Sequence, residues 1–259
     1  MHDYSRKDIV AAMRGVGLGP GAIVFTHSNV GFFGRLEGMN SPENVYSTIK
    51  EAVFEVIGPE GTWVVPAFSY SFCNKKPFDP DVTPGVCGFL SEAVRKDKNA
   101  LRSFDANFSV AAIGRLAGHL TQDAPRYSFG PGSFWARFLD AGGKVCNFNF
   151  DAAASFVHYV ERELKVPYRY DKAFPGEFCH MGKKEQRVFY HFVYDLAKPQ
   201  DGPEFTKFDQ EARQWGLAKR CNLGKGQIVL ISAHDSFELI KLKLQEDPGF
   251  LTKGITLKT

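Results

Sequence analysis

Short apolar segments alternate with helical segments along the first two-thirds of this chain, and this alternation constrains the fold more than any other feature. Strand-like runs occur at "AIVFTHSN" (22–29), "GTWVVPAFSY" (61–70) and "KVCNFNF" (144–150). Strands separated by helices favour an α/β sheet that is covered by helices on both faces. The sequence therefore predicts a mixed central sheet flanked by helices.

The clearest helix signal lies in "SPENVYSTIKEAVFEVIG" (41–58). Ser41 suits the N-cap, Pro42 suits the first helical position, and Gly58 ends the pattern. Similar patterns predict further helices over 6–17, 88–99, 108–122, 132–143 and 154–166, and the segment 108–122 begins as a strand.

The pattern is less regular after Pro167. The later segments predict a strand over 183–195, a helix over 205–217, a strand over 226–235 and a closing helix over 236–247. We expect a single domain over 1–259, with 168–259 as a candidate C-terminal subdomain or lid that forms a less regular extension.

Composition excludes several classes of function. The formal net charge of +3 is not concentrated in one run, so no nucleic-acid partner is expected. No apolar run reaches the roughly 18 residues of a membrane span, and the polar N-terminus shows no signal peptide. The five cysteines are scattered, which predicts reduced thiols in the cytoplasm and no metal site. The oligomeric state stays open, with a homodimer as one option.

The stretch "SFVHYVE" (155–161) carries the main candidate for catalysis. On a helix, Ser155, His158 and Glu161 share one face. A carboxylate that holds one imidazole nitrogen leaves the other free to accept a proton. The alternative is an ordinary ion pair on a helix surface. Asp151, just before this helix, is a second candidate for the partner of the histidine.

Three further stretches are candidates for ligand contacts or for turns. "THSNVGFFG" (26–34) runs from a strand into small residues, whose amide groups suit a phosphate or an amide. "RSFDANFS" (102–109) offers Arg102 for a phosphate, although a surface turn with a salt bridge fits equally. "FGPGSF" (129–134) predicts a turn followed by Ser133 as an N-cap.

Taken together and in order, these stretches resemble the aminoglycoside 3-N-acetyltransferase family, whose members transfer acyl groups from coenzyme A to sugar amines. The resemblance covers residues 5–175 and extends more loosely to the rest. It implies direct attack of the amine on the thioester, with His158 as the general base. In the family's Thr/Ser-x-x-His-x-x-Glu pattern, Ser155 and Glu161 fill the hydroxyl and carboxylate positions.

The resemblance also implies where coenzyme A lies. Its path would be lined by Ser28, Asn29, Val30, Gly31, Ser69, Arg102, Ser103 and Ser109. Ser28 and Asn29 are the candidates for stabilising the oxyanion. This chain departs from the family at Asp105-Ala106, where His-Pro is common, and that departure affects the contacts expected there. The acyl group is acetyl or longer.

The choice of acceptor rests on charge. With 32 Lys+Arg against 29 Asp+Glu, the chain lacks the acidic balance expected for a polycationic substrate. The segment after the catalytic helix adds substrate-binding candidates, Tyr168, Arg169, Tyr170 and Lys172. We therefore expect a nucleotide-linked amino sugar, as used in surface-polysaccharide biosynthesis. The alternatives are an aminoglycoside, which would make the protein a resistance enzyme, and a ligand-binding protein without catalysis.

Overall fold

The computed structural model describes residues 2–39, 41–195, 197–198 and 202–254. Its centre is a seven-stranded sheet with the strand order β3-β4-β2-β1-β5-β9-β8. The strands are β1 (Ile23–Phe25), β2 (Thr62–Pro66), β3 (Leu101–Arg102), β4 (Val110–Gly114), β5 (Lys144–Phe148), β8 (Lys219–Leu223) and β9 (Gly226–Ser232). Strand β1 runs parallel to β2 and β5, and the other neighbours pair antiparallel. The predicted mixed sheet is confirmed.

Helices cover both faces of this sheet. They are α1 (Arg6–Gly15), α2 (Pro42–Ile57), α3 (Phe89–Arg95), α4 (Ala117–Thr121), α5 (Phe134–Asp140), α6 (Phe156–Glu163), α7 (Thr206–Gln214) and α8 (Ala233–Glu246). Helices α1 to α3 bury their apolar residues with Val24 on one face, whereas α4 to α8 pack with Phe25 on the other. Adjacent strand residues point to opposite faces, so one short strand serves both cores.

The capping signals correctly located two helices. Ser41 accepts a hydrogen bond from the Asn44 amide at 3.3 Å, Pro42 begins α2, and Gly58 follows it with φ of 66°. At that positive φ a residue with a side chain would be strained. Ser133 accepts a bond from the Ala136 amide and caps α5, as predicted from "FGPGSF".

The first strand is shorter than the predicted 22–29. Strand β1 ends at Phe25, and a single parallel bridge from Ser28 to Phe148 continues the pairing. The chain then enters a short 3-10 helix over Val30–Phe33. The polar residues of this segment therefore lie at the C-terminal edge of the sheet, where ligand clefts form in α/β proteins.

The C-terminal region contains two separate pairs of strands. Strands β6 (Arg169–His180) and β7 (Lys183–Tyr194) form a separate two-stranded hairpin. Strands β8 and β9 return to the central sheet, where β9 pairs with β5. Among the strands that the structure describes, only this hairpin lies outside the central sheet.

Two whole-chain features follow from the described residues. None of their helices is long and apolar enough to cross a lipid bilayer. The five cysteines are all unpaired thiols.

Candidate active site

A buried asparagine brings the end of β1 close to the start of α6. Asn147, on β5, accepts a hydrogen bond from the His27 amide at 3.2 Å. Its side-chain amide donates to the carbonyl oxygens of Asp151 and Ala153 at 2.7 and 2.9 Å. The Asn147 side chain is fully buried, so its amide depends on these partners for hydrogen bonding. The asparagine thus fixes the segments that carry the two histidines described below.

Helix α6 presents His158 and Glu161 as a hydrogen-bonded pair. Nδ1 of His158 donates to Oε2 of Glu161 at 2.8 Å. A carboxylate only accepts hydrogen bonds, so Nδ1 carries the proton and the Nε2 lone pair is available. The Glu161 side chain is 0% exposed, whereas that of His158 is 22% exposed. The arrangement differs from a surface ion pair because the carboxylate is completely buried.

Two residues that follow α6 also bind the Glu161 carboxylate. The Tyr168 hydroxyl donates to Oε1 at 3.0 Å. Nε of Arg169 lies 2.9 Å from Oε2, as an ion pair that is not aligned as a hydrogen bond. Nη1 of Arg169 donates to the Phe192 carbonyl at 3.2 Å. Glu161 therefore contacts His158, Tyr168 and Arg169 together.

Burial and neighbouring charges keep the imidazole of His158 neutral. Burial lowers the pKa of His158, the positive charge of Arg169 lowers it further, and Glu161 acts in the opposite direction. The bonds and charges of His158 and Arg169 outweigh burial and hold the pKa of the Glu161 carboxyl below its usual range. At neutral pH the pair is a neutral imidazole beside a carboxylate, the state that a general base requires.

His27 is a second histidine at the same edge of the sheet. Its Nε2 lies 3.4 Å from the Ser155 hydroxyl, which connects it to the first residue of "SFVHYVE". Burial, with a contribution from the charge of His158, lowers the pKa of His27 to about 4. The structure therefore places two neutral histidines at this edge of the sheet.

Asp151 does not contact His158. Its carboxylate accepts a hydrogen bond from the Ala153 amide at 2.9 Å and so shapes the loop before α6. Between the two partners that the sequence left open, the structure pairs the imidazole with Glu161.

The strand-end segment after β1 offers one uncommitted donor. The Ser28 hydroxyl is buried and makes no hydrogen bond among the described residues. The Asn29 amide donates to the Phe148 carbonyl at 2.8 Å, so that backbone group is occupied. Val30 and Gly31 line a surface cleft of about 470 Å³, whose wall includes Phe89.

Arg102 is committed to the protein rather than to a ligand. Its guanidinium donates to the Ser109 hydroxyl at 3.1 Å and to the carbonyl oxygens of Pro80, Thr83 and Ala67. It also lies over the ring of Phe78. With its donors occupied, Arg102 ties the 80–83 loop to the end of β2. This argues against the predicted phosphate contact.

Three serines proposed as coenzyme A contacts are likewise engaged inside the protein. Ser69 donates to the Ala106 carbonyl at 2.8 Å, and Ser109 donates to the Ala67 carbonyl at 2.7 Å. The Ser103 hydroxyl accepts from the Val110 amide at 2.9 Å. All three serines are buried. Their hydroxyl groups support the strand ends rather than face solvent.

The four predicted acceptor contacts separate into two pairs. Tyr168 and Arg169 are buried on the carboxylate of Glu161, so they act through that residue and are not open to a substrate. Tyr170 is 49% exposed, and the Lys172 ammonium lies 5.5 Å from the centre of the Phe174 ring. The sequence analysis missed the roles of Asn147, Tyr168 and Arg169, because their contacts depend on how the chain turns after β5 and after α6, which helix and strand periodicity does not predict.

Among the described residues, no group of three or more histidine, cysteine, aspartate or glutamate side chains is arranged to hold a metal ion. A neutral imidazole, fixed by a buried carboxylate at the edge of a mixed sheet, defines a site for base-assisted group transfer.

The comparison with known families identifies the class. The sequence model of the aminoglycoside 3-N-acetyltransferase family matches residues 25–245. The chain belongs to this family and is an acyl-CoA-dependent N-acyltransferase. The resemblance read from the motifs is confirmed.

Individual relatives agree with the family. Aminoglycoside N(3)-acetyltransferase VII of Streptomyces paromomycinus is 25% identical over 273 residues, which cover 95% of this chain and 93% of the relative. Aminoglycoside N(3)-acetyltransferase III of a Salmonella species is 27% identical over 184 residues, which cover 63% of this chain and 62% of the relative.

Solved structures share the fold. The crystal structure of the aminoglycoside acetyltransferase AAC(3)-Xa superposes with a TM-score of 0.81 at 23% identity, covering 96% of this chain and 94% of that one. The AAC-IIIb binary structure with CoASH gives a TM-score of 0.78 at 24% identity, covering 93% of this chain and 97% of that one. Because both identities are below 25%, the likeness shows the fold alone. The roles of individual residues are inferred from the contacts described above.

Proposed function

We propose that this protein transfers the acetyl group of acetyl-CoA to an amine of an aminoglycoside, with His158 as the general base. The observation that carries the proposal is the neutral imidazole of His158, held at 2.8 Å by the fully buried carboxylate of Glu161. The relatives supply the acceptor class, since the matched proteins are named as aminoglycoside acetyltransferases and AAC-VIa is bound to sisomicin in its structure.

The proposed reaction uses the side chains of His158 and Ser28. Nε2 of His158 removes a proton from the acceptor ammonium or from the attacking amine. The amine nitrogen forms a bond to the thioester carbonyl carbon, and the carbon–sulfur bond then breaks to release the coenzyme A thiolate, which takes up a proton. The buried Ser28 hydroxyl is the candidate donor to the oxyanion, because it has no protein partner among the described residues.

Local charge favours a cationic acceptor over our initial expectation of a nucleotide-linked sugar. That expectation rested partly on Arg169, whose charge is paired with Glu161. On the other side, Asp151 lies next to Phe150, whose ring centre is 6.0 Å from that of His27. Glu204 precedes Phe205, whose ring centre is 5.8 Å from that of His158. Asp151 also lies close enough to Asp209 and Glu204 for their negative charges to add to burial in raising its pKa, so carboxylates gather near the start of the helix that carries His158, which suits ammonium groups.

A thiol-release assay with acetyl-CoA tests the proposal. The acceptor panel contains gentamicin- and kanamycin-type aminoglycosides, dTDP- and UDP-linked amino sugars, and a blank without acceptor. We expect acceptor-dependent release with the aminoglycosides, and a product heavier by one acetyl group in mass spectrometry. Release with the nucleotide-linked sugars alone would restore the earlier choice of acceptor. Tight coenzyme A binding without release from any acceptor would favour a binding protein.

Parallel reactions with propionyl- and butyryl-CoA test the acyl group, which we propose to be acetyl.

Two further proposals come from the sequence. The first is a single domain, which the return of β8 and β9 to the central sheet supports. The second is a cytoplasmic location, which the five unpaired thiols support.

A further inference from the structure

Arg169 occupies an unusual place for a charged residue. Its side chain is almost fully buried, at 4% exposure, and its Nε lies 2.9 Å from Oε2 of Glu161. That same oxygen accepts the hydrogen bond from Nδ1 of His158. One carboxylate oxygen is therefore shared between a fixed positive charge and the imidazole. Burying a charged guanidinium is costly unless an opposite charge lies beside it, so the Glu161 carboxylate is the group that stabilises Arg169 inside the protein.

The other oxygen of the carboxylate is fixed as well. The Tyr168 hydroxyl donates to Oε1 at 3.0 Å, and its pKa is raised by burial and by the charge of Glu161, so it stays protonated and remains a donor. With both oxygens restrained, the carboxylate cannot rotate away from the imidazole. Tyr168 and Arg169 come only a few residues after the end of α6 at Glu163, so a short turn returns the chain onto its own catalytic helix.

We propose that Arg169 and Tyr168 are positioning residues for the acyl transfer, which hold the Glu161 carboxylate and limit how strongly it retains a proton on His158. This inference rests on the proposed role of His158 as the base. A buried carboxylate alone beside the imidazole would favour the protonated form, which cannot act as a base. Arg169 offsets that charge, while Tyr168 preserves the geometry.

The charged and titratable groups that face His158 are few. Glu161 lies on the same helix, Arg169 approaches from β6, and His27 approaches from the end of β1. The rings of Phe129 and Phe205 pack beside the imidazole at centroid distances of 5.5 and 5.8 Å. Since His27 stays neutral above about pH 4, the charges that add to the effect of burial on the pKa of His158 near neutral pH are those of Arg169 and Glu161.

The test is the pH dependence of kcat/KM for acetyl transfer. The acid limb of this profile reports the protonation of the free base. We expect Arg169→Met to move the acid limb to higher pH by about one unit, because a positive charge that disfavours imidazolium is lost. Arg169→Lys keeps the charge and should return the limb close to that of the wild type. Tyr168→Phe should lower kcat by roughly tenfold, as expected for one hydrogen bond.

Arg162→Met is the matched control. Arg162 lies on α6 but pairs with Asp171 at 2.9 Å, away from Glu161. Its removal should leave the acid limb in place. If Arg169→Met folds poorly because a buried carboxylate is left unpaired, the double variant Arg169→Met, Glu161→Gln avoids that charge. Its acid limb should lie at higher pH than that of Glu161→Gln alone.

The outcomes separate this inference from the proposed function. An acid limb that coincides for the wild type and Arg169→Met, or for Glu161→Gln and the double variant, would overturn the role of Arg169. If His158→Ala is inactive in the same assay, the proposed base still stands. Full activity of His158→Ala would instead remove the base and this inference with it.

Discussion

Replacing Glu161 with glutamine removes the negative charge beside His158 and keeps a side chain of nearly the same size. The amide oxygen can still accept the Nδ1 hydrogen bond of the imidazole, so its orientation is largely preserved. A hydrogen bond to a charged group contributes about 1.5–3 kcal/mol and a neutral one about 0.5–1.5 kcal/mol, so exchanging one for the other costs about 1–1.5 kcal/mol. At about 1.36 kcal/mol per factor of ten, kcat/KM should fall by about 5- to 13-fold.

The pH profile of Glu161→Gln should change in a defined direction. Glu161 raises the pKa of His158 against burial and Arg169, which lower it. Without that charge the imidazole loses its proton at lower pH, so the acid limb of kcat/KM moves to lower pH. The plateau is lower as well, since a weaker base assists the attack less.

A stability measurement must accompany these kinetics. Glu161→Gln leaves the Arg169 guanidinium buried without its counter-charge, and breaking such a pair costs about 3–5 kcal/mol. Domains have about 5–15 kcal/mol of stability, so the variant should stay folded at 25 °C with a lower Tm. Circular dichroism and thermal unfolding check this, and the thiol-release assay gives the rates from pH 5.5 to 9.5. A folded variant with kcat/KM within twofold of the wild type and an unmoved acid limb would refute the reasoning.

Three other substitutions test the supporting structure. Arg102→Ala should lower the free energy of unfolding by about 3 kcal/mol in denaturant titrations, because three carbonyl groups lose their donor. Its coenzyme A affinity, measured by calorimetry, should change little. Weaker coenzyme A binding with unchanged stability would restore the phosphate contact. Asn147→Ala should lower the free energy of unfolding by about 2–4 kcal/mol and reduce kcat, since three backbone groups lose a hydrogen-bond partner. An unchanged kcat would show that the asparagine does not position the catalytic segments. For His27, the folded pKa of about 4 lies below its unfolded value, so the unfolded state binds more protons and stability falls as pH drops from about 6.5 to 4. His27→Gln should make that decline shallower in unfolding experiments, and equal slopes would count against a buried neutral His27.

The sequence predicted the central sheet and most helices because their signals are local. Ser41, Pro42 and Gly58 define α2 without any tertiary contact. Strand β6 was missed because only Arg169 and Phe178 among its twelve residues are buried, so its sequence lacks an apolar alternation. Its twelve residues are held by pairing with β7, a partner that local patterns do not reveal.

The site was predicted in part for the same reason. His158 and Glu161 lie three residues apart on one helix, so their contact follows from helix geometry. The partner of Arg169 could not be read from its own neighbourhood, and its charge was assigned to an anionic substrate. Total charge is a poor guide to a cleft, because Arg169 and Arg102 are both neutralised or bound inside the protein.

The role of His158 is the claim on which the account depends most. The direct measurement is kcat/KM of His158→Ala for acetyl transfer to an aminoglycoside, with coenzyme A affinity measured by calorimetry on the same preparation. General acid–base catalysis contributes about 10²–10⁴-fold. We predict a loss of that size in kcat/KM with coenzyme A affinity within about threefold of the wild type, because the imidazole bonds to Glu161 through Nδ1 and its Nε2 makes no hydrogen bond among the described residues. A variant that transfers acetyl groups as fast as the wild type would contradict the account.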